Sequence, residues 1–245
     1  MKKTEIIYKS KPITPWLMLC SRSLLFLLFQ GLIALVFFLT GIPHAWNESA
    51  RWWVLTIIPA NLVGIILLVR LFNAEGKRYF DILHFSKVSL GRDLLWLLVI
   101  LAIGLPIAVL PINGLAILIF GNATTPTNML FQSLPAWALV TALLFPLTIA
   151  FAELPTYFGY VMPRLEAQLK NGWVAWLIAA FFLGLQHCFL PLILDGRFML
   201  WRLAMYLPFA LFAGLLIKRR PSLLPYFAVV HALMDISTLA VYLTK

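Results

Sequence analysis

Across 245 residues this chain is 62% hydrophobic and only 11% charged, with a mean hydropathy of +0.95, whereas soluble domains carry about 25% charged residues. That balance excludes a soluble globular enzyme and describes an all-α polytopic membrane bundle. The net charge of +10 comes from basic residues that flank apolar runs rather than forming one face, which argues against a nucleic-acid partner and for anionic lipid headgroups.

Hydrocarbon about 30 Å thick needs ~20 apolar residues per helix, and seven such stretches are expected at 23–42, 53–70, 94–112, 137–163, 173–190, 203–217 and 223–242. With the N-terminus in the cytoplasm, the inner segments hold Lys2, Lys3, Lys9, Lys11, Arg22, Arg70, Lys77, Arg78, Lys87, Arg92, Arg164, Lys170, Lys218, Arg219 and Arg220. Arg51, Arg197, Arg202 and Lys245 then fall outside, as the positive-inside rule requires. Lys2 and Lys3 before an apolar run resemble a signal peptide, but Thr40-Gly41-Ile42-Pro43 offers no small-residue cleavage site, so the first span is expected to be retained. Segment 70–93 carries Phe80, Leu83 and Phe85 among its charges and reads as an amphipathic helix in the interface, with His84 solvated or interfacial. Pro106 and Pro111 should bend the third span, and residues 115–120 have the character of a re-entrant piece. Cys20 and Cys188 fall on opposite sides of the bilayer, which disfavours a disulfide.

Glu153, His187, His231 and Asp235 are the acidic and imidazole groups inside the expected spans. A charge at a helix centre costs at least ~2.5–3.5 kcal/mol, which marks all four as functional-site residues by default. Pro155 removes the donor that would otherwise meet the carbonyl of Phe151, and a broken helix beside a carboxylate points to a wet pocket. His231 and Asp235, at i and i+4, share a helix face, so the carboxylate can fix the imidazole tautomer. At 1.5 Å per residue, Glu153 lies about 16 Å from Arg164, His231 about 15 Å from Pro221 and His187 about 21 Å from Trp173, which brings them near one depth. A carboxylate and imidazoles at one depth are what water activation requires. Cys188 projects about 100° away from His187 and forms no dyad with it. The same groups fit interhelical hydrogen bonding or a proton relay. Glu153, His187 and His231 are the side chains that would ligate a divalent metal such as zinc, yet no tight ligand spacing occurs and the reading is metal-free.

The order and spacing resemble the CPBP family of intramembrane proteases, also called the Abi or type II CAAX prenyl endopeptidase family. Its pattern is E-E-x-x-x-R-G, then F-x-x-x-H, then H-x-x-x-N or H-x-x-x-D. Gly159 sets the register, so Glu153 matches the first glutamate, His187 the middle histidine, and His231 with Asp235 the last pair. The resemblance covers residues 135–242 and implies a catalytic core over 135–245, preceded by helices and an interfacial segment in 1–134. It further implies a hydrolase of the plasma (inner) membrane, bacterial in setting, whose substrates are membrane-embedded or lipid-associated peptides. Glu153 and His187 would hold the attacking water, and His231 and Asp235 would stabilise the oxyanion. An ionised aspartate cannot donate to an oxyanion, which gives Asp235 the task of supporting His231. Leu154, Phe158 and Leu183 depart from the pattern at the second glutamate, the arginine and the phenylalanine. Exchanging a buried ion pair for packed apolar groups is often neutral, so the Leu154 and Phe158 changes read as a unit. The alternatives are a catalytically inactive scaffold or regulator of the same fold and a proton-coupled transporter. The transporter is disfavoured because the chain shows no pair of broken helices in two repeated halves.

Overall fold

Backbone donors and acceptors inside hydrocarbon have no water to meet, so the apolar runs satisfy them internally as helices. The computed structural model describes residues 11–244, and Lys2, Lys3, Lys9 and Lys245 lie outside the described residues. Seven helices are long and apolar enough to cross a membrane: α1 (Thr14–Leu39), α2 (Trp53–Ala74), α3 (Leu90–Phe120), α4 (Ala136–Leu169), α5 (Gly172–Phe189), α6 (Gly196–Arg219) and α7 (Pro221–Ala240). No strand occurs among the described residues.

Several boundaries differ from expectation, the end of α4 at Leu169 rather than at residue 163 among them. Helix α1 starts at Thr14 rather than at residue 23, and α6 at Gly196 rather than at 203. Arg22 and Arg202, expected to flank spans at the membrane edge, are instead each 1% exposed within the bundle. Helix α3 continues through residues 115–120, so that stretch prolongs a span and does not re-enter. The expected amphipathic helix in 70–93 is reduced to a five-residue 3-10 turn, Tyr79–Leu83; His84 and Phe85 beyond it are exposed. Cys20 and Cys188 are both free thiols, the first exposed and the second buried.

Two prolines are accommodated by widened turns. A π-helical turn at Ile100–Gly104 precedes Pro106 in α3, and another, Pro155–Val161, interrupts α4. Ahead of Pro106 and of Pro163 the wider i→i+5 turn makes room for the proline ring. In α4 the carbonyl of Phe151, deprived of its usual partner by Pro155, accepts a hydrogen bond from the Tyr79 hydroxyl. That phenol is buried under the connection between α2 and α3, and burial pushes its pKa above the ordinary value.

Helix α4 is central. It packs on α2 and α7 with its first half and on α5 with its last turns, while α6 fills the space between α5 and α3. Helix α3 is peripheral, with only 11% of its most apolar window buried.

The core is divided in two. One apolar cluster includes Leu19, Leu68, Leu154, Leu183 and Val230, and the other Phe26, Ile57, Ile149, Leu190 and Tyr242. Between them, as each chain segment passes from one cluster to the other, lie Arg22, Asn61, Glu153, Gln186 and His187, all buried. His231 and Asp235 occupy the same interval of α7 and are half-buried. A polar layer therefore crosses the bundle. At the end where Lys170 and Arg219 lie, Arg164 donates from Nε and Nη2 to the two Glu75 carboxylate oxygens at 2.8 and 2.5 Å, and Arg220 donates to Asp93 at 2.8 Å.

Candidate active site

Glu153 stands in the last turn of regular helix before the π-helical segment of α4 and is 3% exposed. A carboxylate so enclosed must be hydrogen-bonded and paired. Its Oε2 accepts from the Gln186 side-chain amide at 2.7 Å, and the Arg22 guanidinium approaches the same oxygen to 3.7 Å. Its other oxygen, Oε1, faces His231 Nε2 at 3.5 Å.

His187 begins the 3-10 turn His187–Phe189 that ends α5. Its Nδ1 lies 2.9 Å from the Leu183 carbonyl oxygen. A carbonyl can only accept, so Nδ1 carries the proton and Nε2 of the neutral ring presents a lone pair. That Nε2 is 3.9 Å from Glu153 Oε2. The ring stacks on Tyr206 with centroids 3.6 Å apart. Arg202 ties down the turn, donating to the carbonyls of His187 at 3.1 Å and Leu190 at 2.5 Å. The His187 carbonyl also accepts from the Leu190 N–H at 3.4 Å, and a cation suits the negative pole at this helix end.

On α7, His231 Nε2 is 3.3 Å from Asp235 Oδ2. The contact lacks hydrogen-bond geometry, and both Asp235 Oδ2 and His231 Nδ1 are buried without a protein hydrogen-bond partner. The i, i+4 spacing leads to the expectation that Asp235 fixes the imidazole tautomer. In the structure the same Nε2 faces both carboxylates, and a nitrogen between two carboxylate oxygens is the one that bears a proton.

The structure thus brings Glu153, His187, His231 and Asp235 together from α4, α5 and α7. It adds four side chains that sequence reasoning did not place at the site: Arg22, Asn61, Gln186 and Arg202. Asn61 and Gln186 had a visible signal as lone amides within apolar runs. The two arginines had none, because near the end of a hydropathy window they look like ordinary flanking charges. Among the described residues, no group of three or more His, Cys, Asp or Glu side chains is arranged to hold a metal ion.

The departures from the family pattern are well packed. Leu154 is 1% and Phe158 2% exposed, and Phe158 lies against Gly214 of α6, where a Cβ would come within 2.6 Å of the ring. Gly159 is needed for a different neighbour, since a Cβ there would meet Ile82 at 2.6 Å.

Residues 135–237 match the family model Rce1-like, described as type II CAAX prenyl endopeptidase Rce1-like. The match is consistent with the CPBP family, and the matched family is one of peptide hydrolases. With its seven apolar helices, the chain is an integral multi-pass membrane protein. No curated protein and no solved structure matches it.

Proposed function

We propose, from the match of residues 135–237 to the Rce1-like family of type II CAAX prenyl endopeptidases, that this chain is a glutamate-dependent intramembrane endopeptidase. Its substrates are membrane-embedded or lipid-associated peptides, its catalytic unit is residues 135–245 and its N-terminus faces the cytoplasm of a bacterial inner membrane. The observation that carries the reading is the 3.9 Å separation of Glu153 Oε2 from His187 Nε2. The two acceptors are too far apart to bond directly and near enough to share one water. Such a water directs its two hydrogens at the carboxylate and the imidazole and a lone pair at a substrate carbonyl.

Glu153 takes the proton as the water's oxygen bonds to the carbonyl carbon, and returns a proton to the amide nitrogen as the C–N bond breaks. The Nε2–H of His231, 3.5 Å from Glu153 Oε1, is the donor available to the oxyanion. Asp235, whose Oδ2 lies 3.3 Å from the same nitrogen, favours the tautomer that keeps the proton on Nε2.

The test compares membrane peptides from cells carrying the native chain and the Glu153→Gln variant. Glu153-dependent cleavage products are expected in the first and not in the second. Identical peptide profiles, with the native phenotype retained by the variant, would instead identify a catalytically inactive scaffold of the same fold.

A further inference from the structure

The matched segment begins at residue 135, yet the deepest cation beside Glu153 comes from α1. Arg22 is 1% exposed. Its Nε donates to Gln186 Oε1 at 2.7 Å and its Nη1 to Asn61 Oδ1 at 3.0 Å. Asn61 is itself held from behind, its amide donating to Thr148 Oγ1 at 2.9 Å. Gln186 completes the chain by donating from Nε2 to Glu153 Oε2 at 2.7 Å.

The direction of this chain is dictated by chemistry. A guanidinium has no acceptor, so it selects the oxygen end of the Gln186 amide; the nitrogen end is then turned at Glu153, which accepts. Tyr157 adds a second donor to Gln186 Oε1 at 3.3 Å. Arg22 Nη2 has no hydrogen-bond partner of its own and lies 3.7 Å from Glu153 Oε2. The guanidinium therefore acts on the carboxylate twice, through the amide and directly through its charge, in a bundle interior where charge is little screened.

We infer that Arg22 and Gln186 are positioning residues for Glu153, so that the first span, outside the matched segment, completes the active site. The inference rests on the proteolytic reading above. Arg22 holds the carboxylate aimed at the water it shares with His187; it touches neither water nor substrate. Asn61 and Thr148 fix the guanidinium so that it does not swing onto Glu153 and replace that water.

The experiment uses the purified full chain in liposomes and an internally quenched apolar peptide pool, with kinetics on the pool member cleaved fastest. Arg22→Met and Gln186→Leu should each lower kcat about 100-fold, the scale expected for a misaimed catalytic group, with KM unchanged. Because much of their action runs through one chain of contacts, the double variant should lose clearly less than the product of the two single losses. Arg22→Lys, which keeps the charge but replaces the rigid fork that spans Gln186 and Asn61 with a single nitrogen, should recover part of the loss. Asn61→Leu, one step further from Glu153, tests the same chain should Arg22→Met fail to fold: it should lower kcat and add nothing in the Arg22→Lys background. Additive losses, a rise in KM at constant kcat, or full activity of Arg22→Met or Asn61→Leu would overturn the inference while leaving Glu153-dependent cleavage intact. If Glu153→Gln cleaves as the native chain does, the proteolytic reading fails, and the inference with it.

Discussion

Phe158 occupies the position where the family pattern has an arginine, and Gly214 opposite it is the residue that makes room. A Cβ on Gly214 would sit 2.6 Å from Phe158 Cε1, 2.8 Å from Cζ and 3.0 Å from Trp176 Cδ1. Ordinary carbon contacts are about 3.5–4.0 Å, so Gly214→Ala forces the ring back by roughly 1 Å. Phe158 is 2% exposed and cannot swing into solvent, which makes the cost of overpacking about 1–3 kcal/mol. Against this stands the helix preference of alanine over glycine, up to ~1 kcal/mol, leaving a net loss. In a Phe158→Leu background the shorter side chain withdraws from Gly214, and the same alanine should cost clearly less, the contact with Trp176 Cδ1 at 3.0 Å being what remains. Unfolding is followed by a maleimide fluorophore reacting with the buried Cys188 thiol, in a chain where the exposed Cys20 has been changed to serine. Equal losses from Gly214→Ala in both backgrounds would refute the reasoning, because the ring would then not be what the methyl group meets.

The Tyr79 hydroxyl replaces the donor that Pro155 lacks; Tyr79→Phe should cost about 1–3 kcal/mol by orphaning the Phe151 carbonyl, and less when Pro155 is changed to alanine. Because burial raises the Tyr79 pKa, its contribution is full below the unfolded value of about 10 and is lost as pH rises above it; the unfolding midpoint of Tyr79→Phe should therefore fall less steeply in alkali than that of the native chain. At the Arg164–Glu75 pair, each side chain only 2% exposed, Glu75→Leu alone should cost about 3–5 kcal/mol, whereas Glu75→Leu with Arg164→Met should restore much of it; equal unfolding midpoints for single and double variants would refute that. Within the active site, Asp235→Asn should preserve more peptide cleavage than Asp235→Ala, and equal loss in the two would count against its support of His231.

Some of this architecture is legible along the chain because hydrocarbon imposes strict rules. A run of about 20 apolar residues has almost no alternative to a helix, so α2, α5 and α7 lie within a few residues of where hydropathy puts them. Glu153, His187, His231 and Asp235 stand out for the same reason, since polar groups are rare against such a background. Pro155 also announces a break, and the π-helical turn at Pro155–Val161 is that break. Harder to read were segments where polarity has two meanings. In 70–93 the mixture of charge and aromatic residues suggested an amphipathic helix, but Tyr79 is turned inward to serve Phe151 and only a short turn forms.

Span count and the polar groups worth pursuing were thus present in the one-dimensional pattern, through length and through the cost of placing charge in lipid. Only the packed bundle decided which nitrogen of His231 faces which carboxylate, and that Arg22 and Arg202 leave the membrane edge for the interior. The physical reason is that a helix residue's depth follows from counting, whereas its partner depends on how neighbouring helices are rotated and where they start. An arginine eight residues into α1 is equally consistent with a headgroup or with Gln186 and Asn61 until those side chains are brought opposite it.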